Sequence, residues 1–377
     1  MNAKILAVSC VLFWTLTSHA QELGTAVLNG DVTDPQGAVV SGAQISARNL
    51  ATGATRSTTS SKAGLFVFND LPPGTYQIKA ESSGFAASLA TVRLQVGQQA
   101  NLPIRVSVGR AQTTIEVEDV DATELVNTVS SVVDGVVNTR QIDSLPLNGR
   151  NFLELALLMP GNTLAPNFDP TKANTVVISS AGQLGRGGNV TIDGGDNNDD
   201  AVGGMLLNIP EDSVQEFQVA TNRFSSEIGR SGSAVVNVVT KAGTNNLHGS
   251  ASFYERDKSL QALPATFDPA SAAGQTPPFS RQQYSGTLGG PIVKDKAWWF
   301  AAFEYRDELG GVLVGNRVLP TAPGGEGTIT RSFARAPLND TLGTVRGDWQ
   351  ISNQDRLGLR YSIERQDAVA GSALNTS

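Results

Sequence analysis

Cysteine, histidine and charge are all scarce in this 377-residue chain. Its one cysteine is Cys10, so stability must come from core burial and strand pairing rather than from internal disulfides. Charged residues make up only 17% of the sequence, the formal net charge is −7, and no basic cluster stands out. Because nucleic-acid binding needs clustered positive charge, this composition argues against nucleic acid as a partner.

Long apolar runs are also absent. No stretch reaches the ~20 apolar residues that a membrane-spanning helix needs. The apolar run over residues 5–16 follows Lys4 and precedes small residues ending at Ala20, which predicts a cleaved secretory signal over residues 1–20. An alternative, in which Cys10 belongs to a lipoprotein signal, stays open. If the mature chain crosses a membrane, it must therefore cross with strands.

What the chain has in quantity is glycine, at 39 residues, together with abundant serine, threonine, asparagine and valine. This composition suits strands and turns better than helices. We therefore expect a mainly β protein with a small α+β insert.

Residues 24–109 alternate apolar and polar positions in short segments separated by turn residues, a pattern that predicts a small β-sandwich. Its strands are expected over residues 27–33, 43–49, 65–68, 75–80, 91–96 and 102–108. The turns contain Asp34-Pro35-Gln36-Gly37 and Leu71-Pro72-Pro73-Gly74. The segment resembles the carboxypeptidase-regulatory-like, transthyretin-type sandwich. A zinc peptidase needs several ligands and a general base, but the mature chain has a single histidine, His248, outside this segment. We therefore expect no enzymatic activity and no cofactor.

Residues 126–242 contain short sequence blocks in a fixed order. Helices are predicted over residues 139–146 and 151–158, and strands over residues 175–179, 189–193, 214–220 and 234–240. The blocks lie at residues 145–152, 192–195, 213–217, 224–232 and 235–241. In this order and spacing they resemble the plug domain of TonB-dependent outer-membrane receptors, in particular Oar-like receptors with a carboxypeptidase-regulatory-like module in front. The plug-motif residues of this resemblance are Leu145, Pro146, Asn148, Gly149, Arg150, Asp193, Gly194, Glu216 and Arg230.

Some plug residues have alternative interpretations. The acidic residues 193–200 have the oxygen-rich composition that calcium prefers, but tight solvated turns have the same composition, and we expect no metal site. The charges of Glu211, Asp212, Glu216, Arg223 and Arg230 are expected to fix the plug to the barrel wall, with Glu227 as the partner of a buried Arg230.

Residues 110–125 form a polar linker between the two predicted domains. The linker contains one β-prone hexad, residues 113–118, and the resemblance makes it the candidate TonB box, which TonB grips by adding a strand. Such recognition relies on main-chain hydrogen bonds, so the sequence demands are weak, and a plain linker strand is the alternative. The candidate residues are Thr114, Ile115, Glu116 and Val117.

Residues 243–377 alternate apolar residues with small or polar ones over residues 247–256, 281–293, 297–307, 342–350 and 357–367. The pattern predicts the first strands of a transmembrane antiparallel β-barrel, joined by long loops over residues 260–280 and 309–337. So few strands cannot close a plugged barrel, which takes ~22, so we expect a truncated barrel. Residues Trp298, Trp299, Phe300 and Phe303 are expected in an interfacial aromatic girdle or, alternatively, in a core.

The resemblance implies an outer-membrane transporter of a Gram-negative bacterium that admits a solute through a plugged barrel. TonB, with ExbB and ExbD, would supply the energy from the periplasmic side, and outer-membrane lipid would surround the barrel. The solute is unknown, and carbohydrate, peptide and metal chelate all remain open. The alternative is a secreted or surface adhesin built of β modules, which would bind carbohydrate without transporting it.

Overall fold

The computed structural model describes residues 24–109, 114–120, 132–165, 175–201, 203–224, 230–263, 274–318, 328–353 and 355–368. Within these ranges, no helix has the length and apolar character needed to cross a bilayer. Strands dominate and fall into three groups along the chain, which confirms the predicted mainly β fold class.

The first group forms a two-sheet sandwich. One sheet has the order β4-β1-β7, with β8 also paired to β1, and the other has the order β3-β2-β5-β6-β9. Side chains such as Leu28, Phe66 and Ile78 alternate inward and form one buried core. The strands are β1 (Ala26–Thr33), β2 (Gln44–Asn49), β3 (Thr55–Thr59), β4 (Leu65–Leu71), β5 (Gly74–Glu81), β6 (Ala87–Leu94), β7 (Gln99–Asn101), β8 (Ile104–Arg105) and β9 (Thr114–Val120).

Two details of the sandwich differ from the sequence analysis. The strand expected over residues 102–108 shrinks to β8, because Pro103 lacks the N–H that a longer ladder needs. Strand β3 was missed because its sequence, Thr-Arg-Ser-Thr-Thr, has no apolar alternation, and it pairs along β2 with polar side chains on both faces.

The second group is a compact α+β unit with the sheet order β10-β15-β16-β13-β14. Its core includes Phe152 and Phe217, whose rings lie 5.5 Å apart. The elements are β10 (Val133–Val137), α1 (Thr139–Ser144), 3-10 helices at Phe152–Leu158, Gly185–Gly187 and Glu211–Ser213, β11 (Asn162–Leu164), β12 (Ile178–Ser180), β13 (Asn189–Ile192), β14 (Gly195–Asp196), β15 (Val214–Asn222) and β16 (Val235–Thr240).

The third group is an antiparallel sheet in which each strand pairs with the next along the chain. Short turns connect β18 to β19 and β20 to β21, whereas β19 and β20 form one long ribbon paired from Ala297↔Trp349 to Val318↔Thr328. The strands are β17 (His248–Asp257), β18 (Ser280–Val293), β19 (Ala297–Val318), β20 (Thr328–Gln350) and β21 (Arg356–Ala368), with a 3-10 turn at Lys258–Leu260.

The loop expected over residues 309–337 is therefore wrong at both ends. Antiparallel pairing carries β19 to Val318 and begins β20 at Thr328 despite the glycine-rich composition. Pro337 pairs with Leu309 of β19 and, among the described residues, lies one residue outside the last β20–β21 pair, Leu338↔Ala368. That is the position at which a strand tolerates proline.

The two faces of this sheet differ in chemistry. On the inner face, alternate residues such as Glu304, Arg306 and Arg346 are buried and charged. On the outer face, the intervening residues form an exposed apolar band that crosses the strands in register. This alternation is typical of strands between lipid and a polar lumen. The band includes Leu288, Phe303, Val345, Leu359, Tyr361 and Ile363.

An aromatic row marks one border of the band, but it is not the predicted one. Phe253, Tyr284 and Tyr305 line up across three strands, with neighbouring ring centroids 5.0 and 6.5 Å apart. Trp298 and Phe300, expected in the girdle, are buried on the inner face instead, because successive strand residues point to opposite sides.

Replacing Val345 with arginine tests the lipid-facing assignment. Val345 is 54% exposed in the middle of the band, so a charge there should cost about 2–4 kcal/mol for the protein folded in lipid vesicles. The same substitution at Asn339, six residues earlier in β20 and at the polar border, should cost about 0–1 kcal/mol. Denaturant unfolding in vesicles measures both variants, and equal losses would contradict the assignment.

Candidate functional site

After their predicted roles, the compact α+β unit is called the plug and the sheet β17–β21 the wall. The loop that follows α1 carries the first predicted plug motif. Helix α1 begins at a capping box in which Asn138 and Gln141 satisfy each other's backbone N–H groups, and it ends at Ser144, two residues before Pro146. The chain then turns through Gly149 (φ 97°) and Arg150 (φ 57°), both left-handed. This turn directs the Arg150 side chain out of the plug and toward the barrel strands.

Arg150 forms the centre of a buried ion cluster between plug and wall. Its guanidinium lies 2.8 Å from Asp212 and 3.8 Å from Glu211, both in the plug, and 3.3 Å from Glu304 on β19. The ring of Tyr254 on β17 lies 4.5 Å from the same guanidinium. Only 5% of the Arg150 side chain is exposed, so these partners replace the water that the charge has lost.

The charged groups of the cluster have pKa values shifted in different directions. Burial alone would lower the pKa of Arg150, but Glu304, Glu211 and Asp212 raise it above its ordinary value. Burial raises the pKa of Glu211 to about 7, although Arg150 opposes the shift. Asp212 accepts hydrogen bonds from Ser285 and Arg150, which hold its pKa below the ordinary value despite burial. Asp212 is therefore the carboxylate that balances Arg150 most directly.

Asn148 and Gly149 extend this contact along the wall. The Oδ1 atom of Asn148 accepts hydrogen bonds from Arg256 on β17 and from Arg281 on β18, the latter at 3.1 Å. Gln283 of β18 donates to the Gly149 carbonyl at 3.5 Å. Leu145, by contrast, is 37% exposed and makes no comparable contact to the wall among the described residues. The polar half of the motif, rather than Leu145, joins the plug to the barrel strands.

The predicted Asp193-Gly194 turn forms a second anchor about 40 residues further along the chain. Both residues have left-handed backbones, at φ 48° and 76°. Asp193 accepts from the Thr240 backbone N–H at 2.9 Å and lies 2.9 Å from Arg346 on β20 and 3.0 Å from Arg360 on β21. Arg360 also donates to the Ile192 carbonyl at 3.0 Å. The turn is thus held within the plug and against the wall at once.

A third contact was not anticipated from the sequence. Glu364 on β21 accepts from the backbone N–H of Asn208 at 2.7 Å and from its side-chain amide at 2.9 Å. The wall partners Glu304, Arg346, Arg360 and Glu364 were all missed. The available signal was their position, since they occupy the inner face of strands whose outer face is apolar.

The acidic turn does not gather its carboxylates around one point. Asp193 faces Arg346 and Arg360, whereas Asp196, at 3.1 Å, and Asp200 both contact Arg230. Within the described residues, no group of three or more His, Cys, Asp or Glu side chains is placed to hold a metal ion. Arg230 was expected to be buried, but 45% of its side chain is exposed. Its expected partner, Glu227, lies outside the described residues.

Glu216 is separate from the other plug-motif residues. It is 2% exposed on β15 and accepts a hydrogen bond from the Val96 backbone N–H of the sandwich. Its neighbour Gln215 donates to the Pro73 carbonyl at 3.2 Å, also in the sandwich. Burial raises the pKa of Glu216 to about 7, opposed by the Val96 N–H and by Arg93. Glu216 therefore joins plug to sandwich rather than plug to wall.

The candidate TonB-box residues Thr114, Ile115, Glu116 and Val117 lie in β9. This strand pairs parallel to β6 and forms the end of a sandwich sheet. Thr113, the first residue of the predicted hexad, lies outside the described residues. His248 opens β17, where its Nδ1 atom lies 2.9 Å from the Asn246 carbonyl and 3.3 Å from Thr244 Oγ1.

The chain thus combines a sandwich, a compact α+β unit and a two-faced antiparallel sheet, and buried ion pairs join the last two. Residues 27–107 match the carboxypeptidase regulatory-like domain, and residues 239–338 match an outer membrane β-barrel domain. The chain is 28% identical over 255 residues to the TonB-dependent transporter Oar of Myxococcus xanthus. It is thus a homologue of a TonB-dependent transporter and belongs at the Gram-negative outer membrane.

The alignment with Oar covers 64% of this chain and 23% of the relative, so the chain spans less than a quarter of that protein. Among solved structures, the siderophore receptor PirA of Acinetobacter baumannii is similar at 19% identity and a TM-score of 0.44, over 64% of this chain and 33% of that one. The outer-membrane transporter YddB of Escherichia coli is similar at 15% identity and a TM-score of 0.48, over 62% and 33%.

Replacing Arg150 with methionine tests the first anchor. The change keeps much of the side-chain volume but leaves Glu211, Asp212 and Glu304 buried without their cation. The free energy of unfolding should therefore fall by about 3–5 kcal/mol. Adding Glu304→Gln to the variant should restore part of that loss. Arg186→Met removes an exposed plug arginine and is the matched control. Denaturant unfolding in detergent measures all three, and equal effects at Arg150 and Arg186 would disprove the anchor.

The pH dependence of stability tests Glu216. Its pKa is about 7 in the folded protein and near 4.5 when exposed, so the folded state binds this proton more tightly. Titration of Glu216 therefore leaves the free energy of unfolding unchanged below pH 4.5. It lowers that free energy as pH rises from 4.5 to 7, and the loss stays constant above pH 7. The difference corresponds to up to about 3 kcal/mol.

Glu216→Gln keeps an acceptor for Val96 but cannot ionise. The variant should lose less stability than the wild type between pH 5 and pH 8, as measured by denaturant unfolding at both values. Glu81→Gln, which alters a carboxylate that is half-exposed in the sandwich, is the control. If the pH dependence of Glu216→Gln matches that of the wild type, Glu216 is ionised normally in the fold.

Proposed function

We propose that this chain forms the sandwich, plug and first barrel strands of a TonB-dependent outer-membrane transporter. The plug closes the barrel, a solute binds from outside, and TonB, powered with ExbB and ExbD, pulls on the segment around Ile115 to open the path. The solute itself is not identifiable from these residues.

The observation that carries this proposal is the chemistry of the plug–wall contact. Ion pairs and hydrogen bonds at Arg150, Asp193 and Asn208 hold the plug to the strands, and among the described residues the hydrophobic core of the plug includes no residue of β17–β21. Buried ion pairs are strong when dry but gain little over water once solvent enters. A plug held this way stays closed in the resting state and can move when force admits water, which an apolar core would resist.

The outer face of the β17–β21 sheet distinguishes the transporter from the alternative, a secreted adhesin. A secreted adhesin would expose the apolar band of β17–β21 to water. On soluble proteins, large exposed apolar patches mark contact surfaces. A lipid-facing band supports the transporter. The adhesin alternative rests on the predicted signal and the sandwich, both of which the transporter also explains.

Ile115→Pro tests the TonB segment. Proline lacks a backbone N–H and prevents regular strand pairing, so binding of the purified periplasmic domain of TonB should weaken at least tenfold. Ile115→Val, which keeps the backbone and β-branching, should bind as the wild type does. Isothermal titration measures binding, and outer-membrane fractionation checks that both variants are inserted. Undiminished binding by Ile115→Pro would exclude this segment as the TonB contact.

A further inference from the structure

The sandwich has one strand that the chain supplies after the sandwich is otherwise complete. Strand β9 (Thr114–Val120) lies at the end of the β3-β2-β5-β6-β9 sheet and pairs parallel to β6 from Ala87↔Thr114 to Val92↔Val120. Within the part of the chain that the structure describes, its other edge has no strand beside it. Such an edge offers backbone groups to an added strand.

We propose that TonB adds a strand to the outer edge of β9 while β9 remains paired with β6, so that the sandwich is the docking platform for TonB. This inference rests on the proposed function and assigns the sandwich a role in it. The candidate TonB box is then not a loose tether but a preformed edge, and docking extends the five-stranded sheet by one strand.

Geometry favours docking on the paired strand over docking on a released one. Detaching β9 breaks the ladder that joins it to β6 before any new hydrogen bond forms, whereas addition at the outer edge uses backbone groups beside which the described residues place no strand. An ordered strand also avoids the entropy loss that an unfolded segment suffers on binding.

The sequence of β9 indicates the kind of strand that would pair with it. Glu116, Glu118 and Asp119 place three carboxylates in seven residues, with no basic residue among them. Opposite charges on neighbouring strands are favourable, and like charges are not. The partner strand should therefore be basic, and binding should weaken as salt rises.

The platform is fixed below the barrel mouth. The Asn245 backbone N–H donates to the Ala51 carbonyl of the sandwich at 3.0 Å, and the Asn245 amide donates to Asp295 at 2.7 Å in the short β18–β19 turn. Short turns lie on the periplasmic side of such barrels. Together with the Glu216 and Gln215 contacts to the sandwich, this holds the β9 edge on the side from which TonB approaches.

A reversible disulfide between β6 and β9 tests the proposal. Ala90 and Val117 are direct Cα partners, so Ala90→Cys with Val117→Cys locks β9 in place when oxidised and frees it when reduced. Cys10, the native cysteine, lies in the predicted signal. Ser46→Cys with Lys79→Cys locks β2 to β5 in the same sheet and is the matched control.

Titration with the purified periplasmic domain of TonB is the readout. Oxidised and reduced forms of the β6–β9 lock should bind within about twofold of each other and of the control. If oxidation weakens binding tenfold or more and reduction restores it, β9 must leave the sandwich and the inference is wrong, while the transporter proposal stands. If the wild type does not bind TonB, or if Ile115→Pro binds equally well, both the assigned segment and the platform fail.

Discussion

The constraint on which this structure depends is that charges removed from water must find opposite charges. Arg150 and Asp193 sit in left-handed turns at the surface of the plug, and each is buried only because wall strands supply a complementary group. Removing one partner would leave an unpaired buried charge, which costs far more than the pair gains in net stability. These contacts therefore fix where the plug sits rather than how strongly the protein folds.

That constraint explains the two faces of the wall. A strand between lipid and a polar lumen alternates in character, so every second residue of β19 and β20 is available for the plug without disturbing the lipid-facing side. Glu304, Arg306 and Glu308 share one face, whereas Phe303 and Tyr305 share the other. The ion pairs Arg281–Glu308 at 2.7 Å and Arg306–Asp340 at 3.0 Å then link neighbouring strands along the same inner face. One period-two pattern thus serves the lipid, the strand ladder and the plug.

Sequence reasoning predicted the parts that depend on local patterns and missed those that depend on pairing across the chain. The barrel strands, α1 and the two anchor turns were recognisable because alternation, capping and Asp-Gly chemistry act over a few residues. The length of β19 and β20 was missed, since only partner strands stabilise Gly310 and Gly311 in an extended ladder. Glu216 was grouped with the plug motif, but its partner, Val96, lies 120 residues earlier in the sandwich. Trp298 and Phe300 were misplaced because a run of aromatics does not reveal which face each one takes.

The junctions of the plug differ in how their charges are balanced. At the wall, Arg150 and Asp193 each face ions of opposite sign within 4 Å. At the sandwich, the hydrogen-bond donor to the buried Glu216 carboxyl is the Val96 backbone N–H. Burial raises the pKa of Glu216 to about 7, and the Val96 N–H and Arg93 oppose this shift, Arg93 the less strongly of the two. Near neutral pH, ionisation of Glu216 therefore leaves a carboxylate at the sandwich contact whose hydrogen-bond donor is a backbone N–H, whereas Glu211, whose pKa is also about 7, ionises at the wall beside Arg150. Glu216 lies on β15, between β10 and β16, whereas Asp193 follows β13 near the other end of the plug sheet, so the sandwich and wall contacts hold different strands of the plug.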